Sequence, residues 1–103
     1  MVYFQDSVLQ RLAVETVRGG ADCLEVEHRD GHEEVVAFRG ALGQEIVRLP
    51  SSSPEAALLR EELRAMGARK QYITVDGQEY SVRCEVYESF GEDAYRLELR
   101  GVT

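Results

Sequence analysis

The 103-residue chain has no tryptophan, two prolines, two cysteines and a single lysine. Its twelve basic residues face nineteen acidic ones, so its formal net charge is −7. A protein that binds nucleic acid or an anionic membrane needs a basic face, and this deficit argues against both partners. Because eleven of the twelve basic residues are arginine, we interpret the sequence as the product of a GC-rich bacterial or phage gene.

Long apolar runs are also absent. The longest cover only a few residues, as at 56–59, whereas a bilayer-spanning helix needs about 20. Residues 1–6 lack the basic flank and apolar stretch of a secretory signal. Cys23 and Cys84 stand alone without a Cys-x-x-Cys spacing, so we expect two reduced thiols. These observations predict a cytoplasmic protein.

The composition is that of an ordinary globular domain, with 44% apolar and 30% charged residues. A chain of this length matches one domain of about 100–150 residues. We therefore predict a single domain over residues 1–103.

Two segments carry helix signals. Ser7 and Gln10 form a capping box before an apolar stripe with helical spacing, which predicts a helix over 7–18. Pro54 suits the first turn of a second helix capped by a preceding serine, and Gly67 ends it. The predicted buried stripe of this second helix contains Ala56, Leu59, Leu63 and Met66.

Six segments alternate apolar and polar residues with the period of a half-buried strand. Asp-Gly pairs at 30–31 and 76–77 predict hairpin turns, because both turn positions need positive φ. In the second predicted strand, Val36 and Phe38 share one face. We expect a loop over 88–93. The predicted strands cover about 22–28, 33–39, 44–49, 71–75, 79–87 and 95–100.

The element order α-β-β-β-α-β-β-β predicts an α+β fold of two layers. Both helices would pack on one face of a mainly antiparallel sheet of about six strands, leaving a polar opposite face. The order repeats, and an offset of 46 residues places Leu12 on Leu58 and Val36 on Val82. Two explanations stay open: a duplication with halves 7–49 and 53–100, or chance recurrence of a common unit.

The densest polar cluster lies in the first predicted hairpin. Imidazole and carboxylate groups are common ligands of divalent metals, so His28, His32 and Glu33 are candidate ligands. The alternative is a solvated turn with a charged rim, since a hairpin tip offers few groups to hold ligands rigidly. The cluster comprises Glu25, Glu27, His28, Asp30, His32, Glu33 and Glu34.

Motifs for catalysis and cofactor binding are absent from the sequence. It has no Gly-x-Ser-x-Gly elbow and no phosphate-binding loop. The cysteines fall within predicted strands, which is typical of inert thiols. We therefore assign no catalytic residue and no cofactor.

Two tyrosines are candidate interface residues. Tyr72 and Tyr87 lie on the strand face opposite Ile73 and Val86, and tyrosine is enriched at contact hot spots. The alternative is cross-strand packing within the sheet. An open sheet edge could also pair with a second copy or a partner.

Our leading hypothesis is a non-enzymatic protein–protein interaction module that forms a homodimer. One alternative is a small-ligand or metal-binding enzyme that uses the His28 and His32 hairpin. Another is an acidic inhibitor that mimics nucleic acid, although interspersed arginines break up a single acidic stripe. In element order alone, the chain resembles bacterial secretion-chaperone domains, which close with a helix where this chain has a strand. That resemblance implies a chaperone-like, protein-binding role.

Overall fold

A computed structural model describes residues 7–67 and 69–102 of the chain. It shows two helices packed against a six-stranded antiparallel sheet, which confirms the predicted α+β fold and element order. The expectation about a signal segment at 1–6 lies outside the described residues. The elements are α1 (Val8–Arg18), β1 (Cys23–Arg29), β2 (His32–Arg39), β3 (Leu42–Pro50), α2 (Pro54–Met66), β4 (Gln71–Val75), β5 (Gln78–Ser89) and β6 (Glu92–Gly101).

Both helices begin at the serine caps that the sequence predicts. Ser7 Oγ accepts the backbone N–H of Gln10 at 2.9 Å, and Ser53 Oγ accepts that of Ala56 at 3.1 Å. Each bond satisfies an amide that the first helical turn leaves without a partner. The predicted stripe of α2 is buried throughout.

The sheet has the order β3-β2-β1-β6-β5-β4, and every neighbouring pair is antiparallel. Two-residue turns join the strands within each half. The turn at Asp30 and Gly31 and the turn at Phe90 and Gly91 lie at the same end of the sheet, because β1 and β6 run antiparallel side by side. We call this the upper end. The end of β3, near Ser51, lies there too, since Ser51 donates its N–H to the Gly31 carbonyl at 2.9 Å.

One hydrophobic core lies between the helices and one face of the sheet. Burying a large apolar side chain stabilises the fold by roughly 1.5–3 kcal/mol, and this core is the main source of stability. Neither described helix is long and apolar enough to cross a membrane. The fully buried core side chains include Leu9, Leu24, Leu59, Leu63, Ile73, Val82 and Leu97.

The face of β2 that points away from the helices carries apolar side chains, unlike the polar outer face of a simple half-buried strand. Val36 and Phe38 do share a face, but that face points away from the helices. Val35 instead lies in the core, directly opposite Val26 of β1. The Phe38 ring packs over Gly43, where an added Cβ would stand 2.7 Å from a ring carbon. An aromatic on the wet face thus covers a glycine of the neighbouring strand.

The two halves repeat their element order but not their buried positions. At the 46-residue offset, Leu12 is 3% exposed whereas Leu58 is 51% exposed. Val36 lies on the wet face, whereas Val82 lies in the core. A one-residue change of register moves every strand side chain to the other face, and the core positions Val35 and Val82 differ by 47. Strands β1 and β4, the first strands of the two halves, also run in opposite directions, although both helices pack on the same face of the sheet.

The upper end holds the largest departure from the predicted strand boundaries. Instead of a loop over 88–93, β5 continues to Ser89 and β6 begins at Glu92, with a tight turn at Phe90 and Gly91 between them. The β5–β6 hairpin is therefore longer than predicted, and an aromatic residue occupies its turn.

The two cysteines are unbonded, as predicted, and both are buried. Cys84 belongs to the core, opposite Leu97. Cys23 pairs with Glu98, the position next to Leu97, so its side chain points to the other face of the sheet. The sheet itself separates the two thiols.

Candidate functional site

Glu33 is the one buried charged side chain among the described residues, with 4% exposure. It lies on the helix-facing side of β2 at the upper end, directly opposite His28 of β1. His28 Nδ1 stands 2.8 Å from Glu33 Oε2. A buried carboxylate needs partners to offset its lost hydration, and His28 is the first of them.

Ser51 and Arg60 complete the partners of Glu33. Ser51, just after β3, donates its hydroxyl to Glu33 Oε2 at 2.5 Å. Arg60 of α2 places Nη1 3.5 Å from the same oxygen, and its Nη2 donates to the Ser51 carbonyl at 3.3 Å. We call His28, Glu33, Ser51 and Arg60 the Glu33 network. It ties three strands to one helix.

The network shifts the protonation of both titratable partners. The hydrogen bond with Glu33 raises the pKa of His28 above its ordinary value. Burial raises the pKa of Glu33, but hydrogen bonds from Ser51 and His28 and the charges of His28 and Arg60 outweigh it, so its pKa is lowered. Both shifts favour an ion pair.

A small cavity of about 280 Å³ adjoins the network. His28 turns Nε2 toward Glu92 of β6, with 3.4 Å between that nitrogen and Oε2. The lining contains both cationic and anionic side chains, so the charges of its walls largely neutralise one another. Its lining is Val26, His28, Glu33, Ser51, Arg60, Arg64, Glu92, Asp93 and Tyr95.

The Glu33 network contains a serine, a histidine and a carboxylate, but not in the order of a hydrolase triad. A triad serine donates to one imidazole nitrogen while the acid binds the other. Here Ser51 and Glu33 both meet Nδ1 of His28, and the serine hydroxyl donates to Glu33. Nothing here activates the hydroxyl as a nucleophile. The arrangement supports a structural role for the three groups.

The three candidate metal ligands are divided between the two faces of the hairpin. His28 and Glu33 meet on the helix-facing side. His32 is the next position along, opposite Arg29, so it points to the other face, and its Nδ1 lies 2.9 Å from the Asp30 carbonyl. Across residues 7–67 and 69–102, no three His, Cys, Asp or Glu side chains are placed to hold one metal ion.

Tyr72 and Tyr87 share the face away from the helices, as predicted, but not one patch. Tyr72 pairs with Ser81 of β5, six positions from Tyr87 and thus about 20 Å along the strand. The Tyr87 hydroxyl donates to Glu27 at 2.9 Å and to Glu25 at 3.2 Å. Burial and these carboxylates raise the pKa of Tyr87. Tyr87 therefore acts within the sheet as a cross-strand partner.

Phe90, which no sequence pattern marked as a site residue, is the most exposed large apolar side chain among the described residues, at 90%. It adopts φ 53°, a conformation that bulky residues rarely occupy. The Arg29 guanidinium stands 6.0 Å from its ring centroid. Phe90, His28, Arg29, Asp30 and Glu92 line an open recess of about 570 Å³. The glycine at 91 was the available signal, since it follows Phe90 as glycine follows Asp30 and Asp76.

Neither a protein-family model nor a curated protein sequence matches the chain. Function must therefore be inferred from two features of the upper end, the Glu33 network and Phe90 with its recess. The Glu33 network centres on a buried carboxylate whose partners come from within the protein, whereas Phe90 and its recess face solvent.

Proposed function

We propose that this protein acts by binding another protein and catalyses no reaction. The observation that carries the proposal is Phe90, a fully solvent-facing aromatic held at φ 53° on a hairpin turn. An exposed aromatic of this kind has the area and rigidity of an interface anchor.

The backbone conformation of the turn indicates that Phe90 is not there to stabilise the fold. The hairpins β1–β2 and β4–β5 place Asp30 and Asp76 at the equivalent position, with φ 52° and 50°. Aspartate tolerates this conformation, while a bulky side chain is strained there. Strained residues that stability does not require are typical of functional sites.

Side-chain chemistry elsewhere also favours binding over catalysis. Ser51 donates to a buried carboxylate, so its hydroxyl is occupied. Burial raises the pKa of the Cys84 thiol to about 11, and burial likewise raises that of Cys23. Since the thiolate is the nucleophile, both cysteines are poor candidates for covalent catalysis.

Site-specific photo-crosslinking in the native host tests the proposal. The crosslinker p-benzoylphenylalanine is placed at position 90 and, as the matched control, at position 42. Leu42 is also exposed, at 78%, but lies on β3 beside the turn at the opposite end of the sheet. We expect a discrete protein adduct from position 90 that is absent from position 42.

The captured protein is then purified, and its binding is measured calorimetrically. We expect it to bind the wild-type chain and to lose affinity for Phe90→Asn. The proposal fails if positions 90 and 42 give the same adducts, or if the captured protein binds Phe90→Asn as tightly as the wild type.

The second part of the proposal is self-association. Within residues 7–67 and 69–102, the outermost strands β3 and β4 each offer one edge without a strand neighbour, and such edges can pair with another chain. Sedimentation equilibrium over a wide concentration range tests this part. We expect a dimer, and a monomer at the highest soluble concentration contradicts it without affecting the role of Phe90.

A further inference from the structure

We infer that the tip of the β5–β6 hairpin docks a partner segment in which an apolar side chain is flanked by lysine or arginine. This inference rests on the proposed protein-binding function and adds the chemistry of the partner. We call residues 86–93 the acidic tip.

The apolar part of the acidic tip comes from two side chains. Phe90 stands on the turn, and Val86 is 54% exposed. Val86 lies on the helix-facing side of β5 opposite Tyr95, which is buried, but the helices do not cover it. The tip therefore exposes two apolar side chains, one on the strand and one on the turn. Exposed apolar surface rimmed by polar groups is typical of an interaction site.

The residues around these two side chains along the hairpin are mainly acidic. Glu88, Glu92 and Asp93 are exposed, and residues 84–95 include no lysine or arginine. The nearest cation, Arg29, is already compensated, since its Nη2 lies 3.1 Å from Glu27 and its Nε 3.8 Å from Glu34. The tip therefore presents negative potential around an apolar centre, and a basic partner complements it.

The recess beside Phe90 gives this partner a place to insert. Its volume of about 570 Å³ accommodates a large side chain against the ring. Asp30 and Glu92 stand in its walls together with His28 and Arg29, and these two cations already have Glu33, Glu27 and Glu34 as partners. The two carboxylates are within reach of cationic residues that flank the inserted one. The pattern of an apolar wall with carboxylates beside it matches a basic-apolar-basic segment.

A second copy of this chain is the less favoured occupant. The tip carries Glu88, Glu92 and Asp93 and no lysine or arginine, so the tips of two copies repel one another. Charge complementarity thus favours a different, basic protein at the tip. The proposed self-association uses the sheet edges instead of the tip.

Labelled peptides measured by fluorescence anisotropy test the inference. The probe has one phenylalanine with two basic residues on each side. One control peptide carries glutamate in place of the basic residues, and another carries serine in place of phenylalanine. We expect only the first to bind, with affinity that falls as salt rises because the attraction is electrostatic.

Variants of the protein locate the contact. Phe90→Asn should weaken probe binding by about tenfold or more, as loss of an anchor does. The double variant Glu88→Gln, Asp93→Asn should weaken it several-fold and reduce its salt dependence. Leu42→Asn, which removes another highly exposed apolar side chain at the opposite end of the sheet, should leave binding unchanged. Thermal melts confirm that each variant is folded.

Three results overturn the inference: equal binding of the acidic and basic peptides, equal weakening by Leu42→Asn and Phe90→Asn, or a Phe90-dependent dimer in sedimentation. A native partner captured through position 90 whose affinity ignores salt and the charge variants also overturns it, while the proposed function survives. Absence of any adduct specific to position 90 instead overturns the proposed function.

Discussion

His28 and Glu33 stand directly opposite one another on β1 and β2, with 2.8 Å between Nδ1 and Oε2. The carboxylate is buried, while the imidazole is partly exposed. Ser51 and Arg60 hold the same oxygen from outside the hairpin. This pair therefore couples the protonation of a surface histidine to the packing of α2 on the sheet.

The first prediction concerns pH. Because the pKa of His28 is raised, its contribution to stability is complete at low pH and is lost as pH rises through its folded-state pKa. Because the pKa of Glu33 is lowered, its contribution is lost as pH falls through its folded-state pKa. We expect the pair to stabilise the fold most between about pH 4.5 and 6.5.

Urea unfolding across a pH series measures this effect. His28→Asn should flatten the loss of stability above pH 6.5. His32→Asn, which removes an imidazole from the same hairpin without touching Glu33, should keep the wild-type slope. Wild type and His28→Asn both keep Glu92 and Arg60, the other charges near His28. Equal dependence of their unfolding free energies on pH would therefore contradict the coupling.

The second prediction concerns Glu33 itself. Glu33→Gln keeps the size of the side chain but removes the charge that holds His28 and Arg60. Charged hydrogen bonds contribute about 1.5–3 kcal/mol each, so we expect a loss of about 2 kcal/mol in the free energy of unfolding. The exposed Glu61→Gln on α2 should change it by less than about 0.5 kcal/mol. Similar effects of the two variants would show that the network adds nothing to stability.

The third prediction is that Phe90→Asn stabilises the protein. Asparagine suits the positive φ of the turn, so relief of strain should add about 1 kcal/mol to the free energy of unfolding. The reciprocal variant Asp30→Phe, at φ 52°, should lose a similar amount. A drop in the melting temperature of Phe90→Asn would mean that the Phe90 ring supports the fold through Arg29.

The fourth prediction concerns the thiols. With the pKa of Cys84 raised to about 11 and that of Cys23 also raised, mainly by burial, both thiols should react slowly with a disulfide reagent in the folded protein at pH 8. Both should react at once in urea. Oxidation should leave no intramolecular disulfide, because the sheet separates the two side chains. Rapid labelling of either in the native state would contradict the burial.

The fifth prediction concerns metal binding. Zinc or manganese titrated into the isotopically labelled protein should not shift the His28 and His32 signals together, because the two rings point to opposite faces of the hairpin. The mutant His32→Asn serves as the assignment control. A saturable, joint shift of both rings would restore the metal-binding hypothesis.

Local residue chemistry was enough to predict the helices and strands. It was not enough to predict the register in which the strands pair. Ser7, Pro54 and the Asp-Gly pairs act within a few residues, so the helix starts and two hairpins follow directly from them. The face of Val36 depends on which β1 residue it meets. A one-residue difference in pairing changes that face, and nothing nearby in the sequence decides it.

In the candidate site, too, contacts within one hairpin were predictable and contacts between distant elements were not. His28 and Glu33 were recognised together because a hairpin brings close neighbours face to face. The part played by Ser51 and Arg60 was not predicted, because it depends on how α2 packs on the sheet. Phe90 was missed because phenylalanine is disfavoured at positive φ, so composition favoured a loop there.

The placement of β1 and β6 at the centre of the sheet has a consequence for how the protein forms. Each three-stranded meander closes through short turns, whereas the joint between them pairs Cys23 with Glu98 across most of the chain. Closing so long a segment is slow compared with forming a hairpin. On the ribosome, the first meander must wait with an unpaired inner strand until β6 emerges. A chain truncated before β6 would leave β1 as an exposed edge, open to aggregation.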